Sequence, residues 1–356
     1  MGVPSLGILL FFAPPADCST LPSDSLPILQ REYAFETSLR SCRGDADLYA
    51  GYSTLLIEQG EFARALEIAS AGLRIAPAQA RLILNNGIAL YSLHRMRESI
   101  AVLAPLDSPE ANFYTGLNYR RLTQHSDSQR YLLKAWNAGY HDPFLLYSLI
   151  EEDRAAGDKK AGLGHFQILL REYPDSAWLH MVLGNAAFGL EKDQEAREEY
   201  AKALALNPKL PNVNYRLGFV AYQAGQDETA EKYFREELKI EPEHSDTWLF
   251  LGETLRRLGK TKEAIPYLQH ALKLDPANSL NYGALATALT ETNQLQDAVS
   301  VLEQAEKRFP TDPAFPSQLA RLLARLDRKE EAEQAAQRAR SLLAVKLHQQ
   351  DIPAKP

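Results

Sequence analysis

The stretch Ser245–Asn278, SDTWLFLGETLRRLGKTKEAIPYLQHALKLDPAN, decides the fold. Its apolar residues fall three and four apart: Trp248, Leu251 and Leu255, then Ala264, Leu268 and Ala271. That spacing predicts two amphipathic helices joined by a short turn. Gly252 lets the second helix approach the first closely, and Ala264 fills the matching slot. Gly259 stands where the first helix stops, at a position that favours a left-handed cap. Pro276 ends the second helix, because proline cannot continue one, and Asp275-Pro276 starts a turn.

The pattern returns about every 34 residues from Ala46 onward. On this frame the copies are 46–79, 80–108, 109–142, 143–176, 177–210, 211–244, 245–278, 279–312 and 313–346. The small residue of the first helix recurs as Gly87, Gly116, Gly184, Gly218, Gly252, Ala286 and Ala320. The alanine of the second recurs as Ala65, Ala196, Ala230, Ala264, Ala298 and Ala332, and the closing proline as Pro77, Pro174, Pro208, Pro242, Pro276 and Pro310. Gly60, Gly157 and Gly225 repeat the Gly259 position. No single copy can bury its apolar face alone, so neighbours must stack.

These residues resemble the tetratricopeptide-repeat signature, with Leu255 for its tyrosine and Leu268 for its phenylalanine. The resemblance implies an all-α fold: a right-handed α-solenoid of stacked helix-turn-helix tetratricopeptide repeats, nine of them over 46–346. Three copies depart from the pattern. Copy 80–108 is short, and Ala104-Pro105-Leu106 predicts an early end to its second helix. Copy 109–142 ends in Gly139-Tyr140-His141-Asp142 before Pro143. Copy 143–176 has Ile150 where a small residue is expected and Gly162 for the alanine. Residues 26–45 read as an amphipathic capping helix with Pro27 at its start, and 347–356 as a disordered tail.

Residues 1–25 read as a signal peptide and linker. Leu6–Ala13, LGILLFFA, has the length of a signal-peptide core, though no Lys or Arg precedes it. A cut near Ala16 would leave Cys18 and Cys42, the two cysteines of the chain, able to pair in an oxidising compartment. The expectation is a periplasmic or secreted protein; the alternative is a cytoplasmic chain with a frayed start.

Hydrophobic residues make up 45% of the chain and charged residues 24%, which excludes wholesale disorder. A net charge of −7 argues against a nucleic-acid partner. No apolar run is long enough for an integral membrane span. Gly259-Lys260-Thr261 lacks the upstream glycine and the strand of a phosphate loop. Arg43-Gly44-Asp45 is an integrin-type tripeptide, but Asp45 is placed to cap the helix that follows. With no catalytic motif and no cofactor site, the expected function is a non-catalytic interaction scaffold. The alternatives are an exported assembly or secretion factor of the cell envelope and a regulatory module of an enzyme complex.

In the family that the chain resembles, positions 2, 5, 9, 12 and 13 of each first helix line a concave groove. Carried onto this sequence, the resemblance points to Tyr147, Trp178, Met181, Asn185, Phe188, Tyr215, Phe219 and Tyr222 as a peptide-binding face. Aromatic and methionine side chains give large contact area at low entropic cost. The competing reading packs them between neighbouring helices. Arg120 and Arg121 flank this set, and no acidic residue stands three or four positions before either. The expected partner is therefore another protein, bound through a segment that is both acidic and apolar.

Overall fold

The computed structural model describes residues 22–23 and 25–350, with the side chains of 346–350 excepted. The apolar octet, Cys18 and residues 351–356 lie outside the described residues. Nineteen α-helices and no strand occur among the described residues. The chain divides into two compact units, residues 1–174 and 175–356.

Unit 1 begins with α1 (Ile28–Ser41), which lays Phe35 against Tyr52, ring centroids 5.5 Å apart. Four helix pairs follow: α2 (Ala46–Glu58) with α3 (Phe62–Ile75), α4 (Ala80–Ser92) with α5 (Met96–Leu103), α6 (Pro109–Arg121) with α7 (His125–Asn137), and α8 (Pro143–Ala156) with α9 (Lys159–Glu172). The α5 helix has only 8 residues and stops just before Pro105, as the sequence predicts. Asp45 caps α2, accepting the Asp47 amide at 2.9 Å.

Unit 2 holds five pairs: α10 (Ala177–Gly189) with α11 (Asp193–Leu206), α12 (Val213–Gln223) with α13 (Asp227–Ile240), α14 (Ser245–Arg257) with α15 (Thr261–Leu274), α16 (Ser279–Glu291) with α17 (Leu295–Arg308), and α18 (Ala314–Arg325) with α19 (Lys329–Gln350). The last helix runs through residues that the sequence reading assigned to the tail.

Five of the nine pairs close on a knob that fills the space beside a glycine. The Cβ that Gly184 lacks would sit 2.4 Å from the Tyr200 ring, and that of Gly218 would sit 2.8 Å from Phe234. Leu103, Leu132 and Leu268 fill the same place against Gly87, Gly116 and Gly252. In the α8/α9 pair, Ile150 replaces the glycine, and Gly162 of α9 faces Asp153 with room for a Cβ at 3.4 Å.

Nine turns join a first helix to its second, and all have the same shape. The fifteenth residue of every copy has positive φ: Gly60, His94, Thr123, Gly157, Glu191, Gly225, Gly259, Asn293 and Asp327. The following amide reaches back five residues to close the helix end, as in Lys192 N to Ala187 O at 3.0 Å and Lys260 N to Leu255 O at 2.8 Å. Stacking therefore imposes the left-handed residue even where the side chain opposes it. A Cβ at Gly259 would touch nothing within 4 Å, so Gly259→Ala tests backbone strain alone. It should cost about 1 kcal/mol, and Glu191→Gly should return up to about 1 kcal/mol. Urea denaturation midpoints measure both, and an unchanged midpoint for Gly259→Ala would refute the strain argument.

Candidate peptide-binding face

The expected site residues fall in both units. Arg120, Arg121 and Tyr147 belong to unit 1; Trp178, Met181, Asn185, Phe188, Tyr215, Phe219 and Tyr222 belong to unit 2.

In unit 1 the expectation of unengaged arginines is overturned. Arg120 stacks over the Tyr147 ring at 5.4 Å, donates to Ser148 Oγ at 3.3 Å and brings Nε within 3.4 Å of Glu152 Oε1. Arg121 stacks over Tyr91 at 4.8 Å, and its Nη1 lies 2.7 Å from His94 Nδ1. The acidic partner of Arg120 stands in the next first helix, 32 residues on, where a search for helical neighbours of Arg120 does not reach. Tyr147 is 6% exposed and belongs to the interior. Beside it, Glu152 and Asp153 are both buried. His125 Nδ1 is 2.8 Å from Glu152 Oε2, and His165 Nδ1 is 2.6 Å from Asp153 Oδ2, which also accepts from Gln129 through Oδ1 at 2.6 Å.

In unit 2 the predicted residues separate into core and surface. Met181 is fully buried and Tyr215 is 9% exposed, which places both in the core and corrects their assignment to the ligand-facing set. Burial pushes the Tyr215 phenol well above its ordinary range. Asn185 accepts from Tyr200 Oη at 2.9 Å and so braces the α10/α11 knob. Trp178, Phe188, Phe219 and Tyr222 are half-buried.

Three of these four half-buried residues form one ledge around Phe250 of α14, a residue that the groove positions omit. Phe250 lies 4.8 Å from Phe219 and 5.5 Å from Tyr222, ring centroid to ring centroid, and is itself half-buried. Phe188 meets Phe219 edge-on at 5.8 Å. The Arg257 guanidinium covers the Tyr222 ring at 4.3 Å, donates to the Tyr222 carbonyl at 2.9 Å and pairs with Asp227 at 3.1 Å. Arg256 is held by Glu253 at 2.9 Å and by Glu291 of α16 at 2.8 Å. The ledge is thus rigid, aromatic and locally neutral.

The helix that carries most of it, α12, is anchored unusually. It starts two residues late in its copy, and its cap position, Asn212, is left-handed at φ 68° with no side-chain cap of its own. The buried Glu237 of α13 supplies the cap, accepting the Asn212 amide at 2.7 Å and the Tyr215 amide at 3.2 Å. Burial pushes its carboxyl up to about 7, against the lowering effect of those amides.

No helix among the described residues is long and apolar enough to cross a membrane. Tetratricopeptide-repeat models match residues 184–225, 210–277, 255–315 and 289–342. No curated protein sequence matches the chain. Among solved structures it is similar to the APC/C hetero-tetramer Cut9-Hcn1, at 18% identity over 83% of this chain and 59% of that one, with a TM-score of 0.61. The chain therefore spans less than two thirds of that protein. It is also similar to YrrB, described as a tetratricopeptide-repeat protein with an unusual peptide-binding site, at 22% identity over 52% of this chain and 98% of that one, TM-score 0.45. A MamA of Desulfovibrio magneticus RS-1 matches at 20% identity over 48% of this chain and 97% of that one, TM-score 0.46. The recurring knob, the nine identical turns and the matched models agree: the chain is a tetratricopeptide-repeat protein.

Proposed function

We propose that this scaffold holds a partner protein by an extended or helical segment laid across the first helices of unit 2, and that it acts by binding and not by catalysis. The observation that carries this reading is the half-exposed ledge of Phe188, Phe219, Tyr222 and Phe250. Four half-buried aromatic rings held by their neighbours supply the pre-ordered apolar contact on which binding hot spots are built. Arg257 and Asn185 are tied down by internal bonds and contribute shape.

The test starts with crosslinking capture from the native host and identification of the partner by mass spectrometry. Phe219→Ala with Tyr222→Ala should then weaken that partner by ~2 kcal/mol or more, about thirtyfold. Tyr222→Ala alone should weaken binding with a smaller loss of melting temperature than the double variant. Unaltered affinity in both variants would remove the ledge from the binding surface.

A further inference from the structure

Every arginine so far described on the first helices of unit 2 is engaged, whereas α18 is different. Its sequence, AFPSQLARLLAR over Ala314–Arg325, contains no acidic residue. Arg321 and Arg325, four apart on one helical face, are both exposed, and among the described residues neither has an ion-pair partner. Their register is that of the ledge. Arg321 stands three periods of 34 after Phe219, and Arg325 stands two periods after Arg257. Side-chain contacts show that first helices of successive pairs lie side by side: Phe219 on Phe250 joins α12 to α14, and Arg256 on Glu291 joins α14 to α16. Between the ledge and the arginines lies α16, with Leu280 62% exposed, Thr287 exposed, and open space where a Gly283 side chain would be. Gly283 and the small Thr287 leave room for a ligand there, and Leu280 adds exposed apolar surface beside them.

We propose that unit 2 takes a single extended peptide whose bulky apolar side chains sit on the Phe219–Tyr222–Phe250 ledge and whose carboxylates meet Arg321 and Arg325. This rests on the groove reading above and adds the partner's chemistry, polarity and length. First helices packed about 10 Å apart put α18 roughly 30 Å from α12. An extended chain advances about 3.3 Å per residue, so the two anchor points are separated by about nine residues of ligand. Charge complementarity selects the occupant. On α14 the arginines are neutralised by Glu253, Glu291 and Asp227 from within the protein, whereas at α18 that neutralising charge must come from outside. Two guanidiniums four residues apart fit two carboxylates on one strand, each able to form a forked pair.

The experiment is selection of a library of displayed twelve-residue peptides on the full chain, followed by synthesis of the recovered sequences and anisotropy titration. Recovered peptides should carry two or more Asp or Glu about nine residues from a bulky apolar residue. Arg321→Glu with Arg325→Glu should weaken them at least tenfold, and Arg321→Gln with Arg325→Gln less so; both variants should melt with wild type, because neither side chain is buried. Phe219→Ala with Tyr222→Ala should weaken the same peptides. Recovered peptides with no acidic enrichment, or with equal affinity for the charge-reversed variant, overturn the inference and leave the ledge standing. Peptides sensitive to the arginines but not to the aromatics overturn it too, since the two features then serve different ligands. A library that yields no binder on the wild-type chain overturns the groove reading itself, and the inference with it.

Discussion

Replacing Phe234 with alanine should destabilise unit 2 by ~3–5 kcal/mol, the range for removing a fully buried aromatic ring. Phe234 has no exposed surface. Its ring fills the space left by Gly218 and lies 6.1 Å from Tyr215 and 6.3 Å from Phe250, centroid to centroid. One side chain therefore locks α12 to α13 and braces α12 and α14, two of the three helices of the ledge. In a stacked array stability is shared mainly between neighbours, so the loss should concentrate in α12–α15. Hydrogen exchange should show those amides opening first, while α17 and α19 keep most of their protection. A second substitution isolates the contact. Gly218→Ala alone forces its Cβ to 2.8 Å from the ring and should be destabilising. In the Phe234→Ala background the same methyl enters the cavity and should be neutral or stabilising. Equal effects of Gly218→Ala in the two backgrounds would show that the glycine and the ring do not interact, and the knob account of pair closure would be lost.

The repeat was legible because it is written in small residues at fixed spacing, and steric fit leaves them few substitutes. Gly184 and Gly218 mark the close approach of two helices, where Tyr200 and Phe234 fill the space. The turns were only partly legible. Four of nine carry glycine; His94, Thr123, Glu191, Asn293 and Asp327 adopt the same left-handed geometry because packing on either side demands it. The ledge was half legible. Periodicity put Phe219 and Tyr222 on one helix face but could not say how deep that face lies, so Met181 and Tyr215, on the same stripe, turned out to be core. Phe250 was missed because it lies off the groove positions and joins the ledge only through stacking on Phe219. The arginines were misjudged for a related reason: Glu152 reaches Arg120 from the next helix pair. One signal in the sequence was available and informative. Asp153 stands one period before Ala187 and two before Ala221, and Glu237 stands one period after Ala203 and one before Ala271. A lone carboxylate in an otherwise apolar column marks a buried charge with work to do.

At Glu237 that work should appear as a pH dependence of stability opposite to that of an ordinary surface ion pair. Its carboxyl is raised from the usual 4.5 to about 7, chiefly by burial, with nearby Glu241 adding to the effect and the Asn212, Tyr215 and Asn214 amides opposing it. Between those two values the folded chain holds a proton that the unfolded chain has released. Stability from this group is therefore fully present below about pH 4.5 and is lost as pH rises through about 7, with no further loss above. At 1.36 kcal/mol per unit, the loss is on the order of 3 kcal/mol. Glu199 and Glu231 act in the opposite direction. Although burial raises both, hydrogen bonds from His180 and Lys202, and from Lys260 and Arg235, hold them below their ordinary value, so their contribution is lost as pH falls. A profile of the wild-type chain alone mixes the two signs. The clean measurement is the difference between wild type and Glu237→Gln, in which the other groups cancel. The amide keeps a carbonyl oxygen for one helix-end N–H and never ionises. The wild-type chain should lose stability relative to the variant by roughly 3 kcal/mol between pH 4.5 and 8, by urea denaturation at a series of pH values. A difference that stays flat across the interval would mean that Glu237 keeps one protonation state throughout and is only a helix cap.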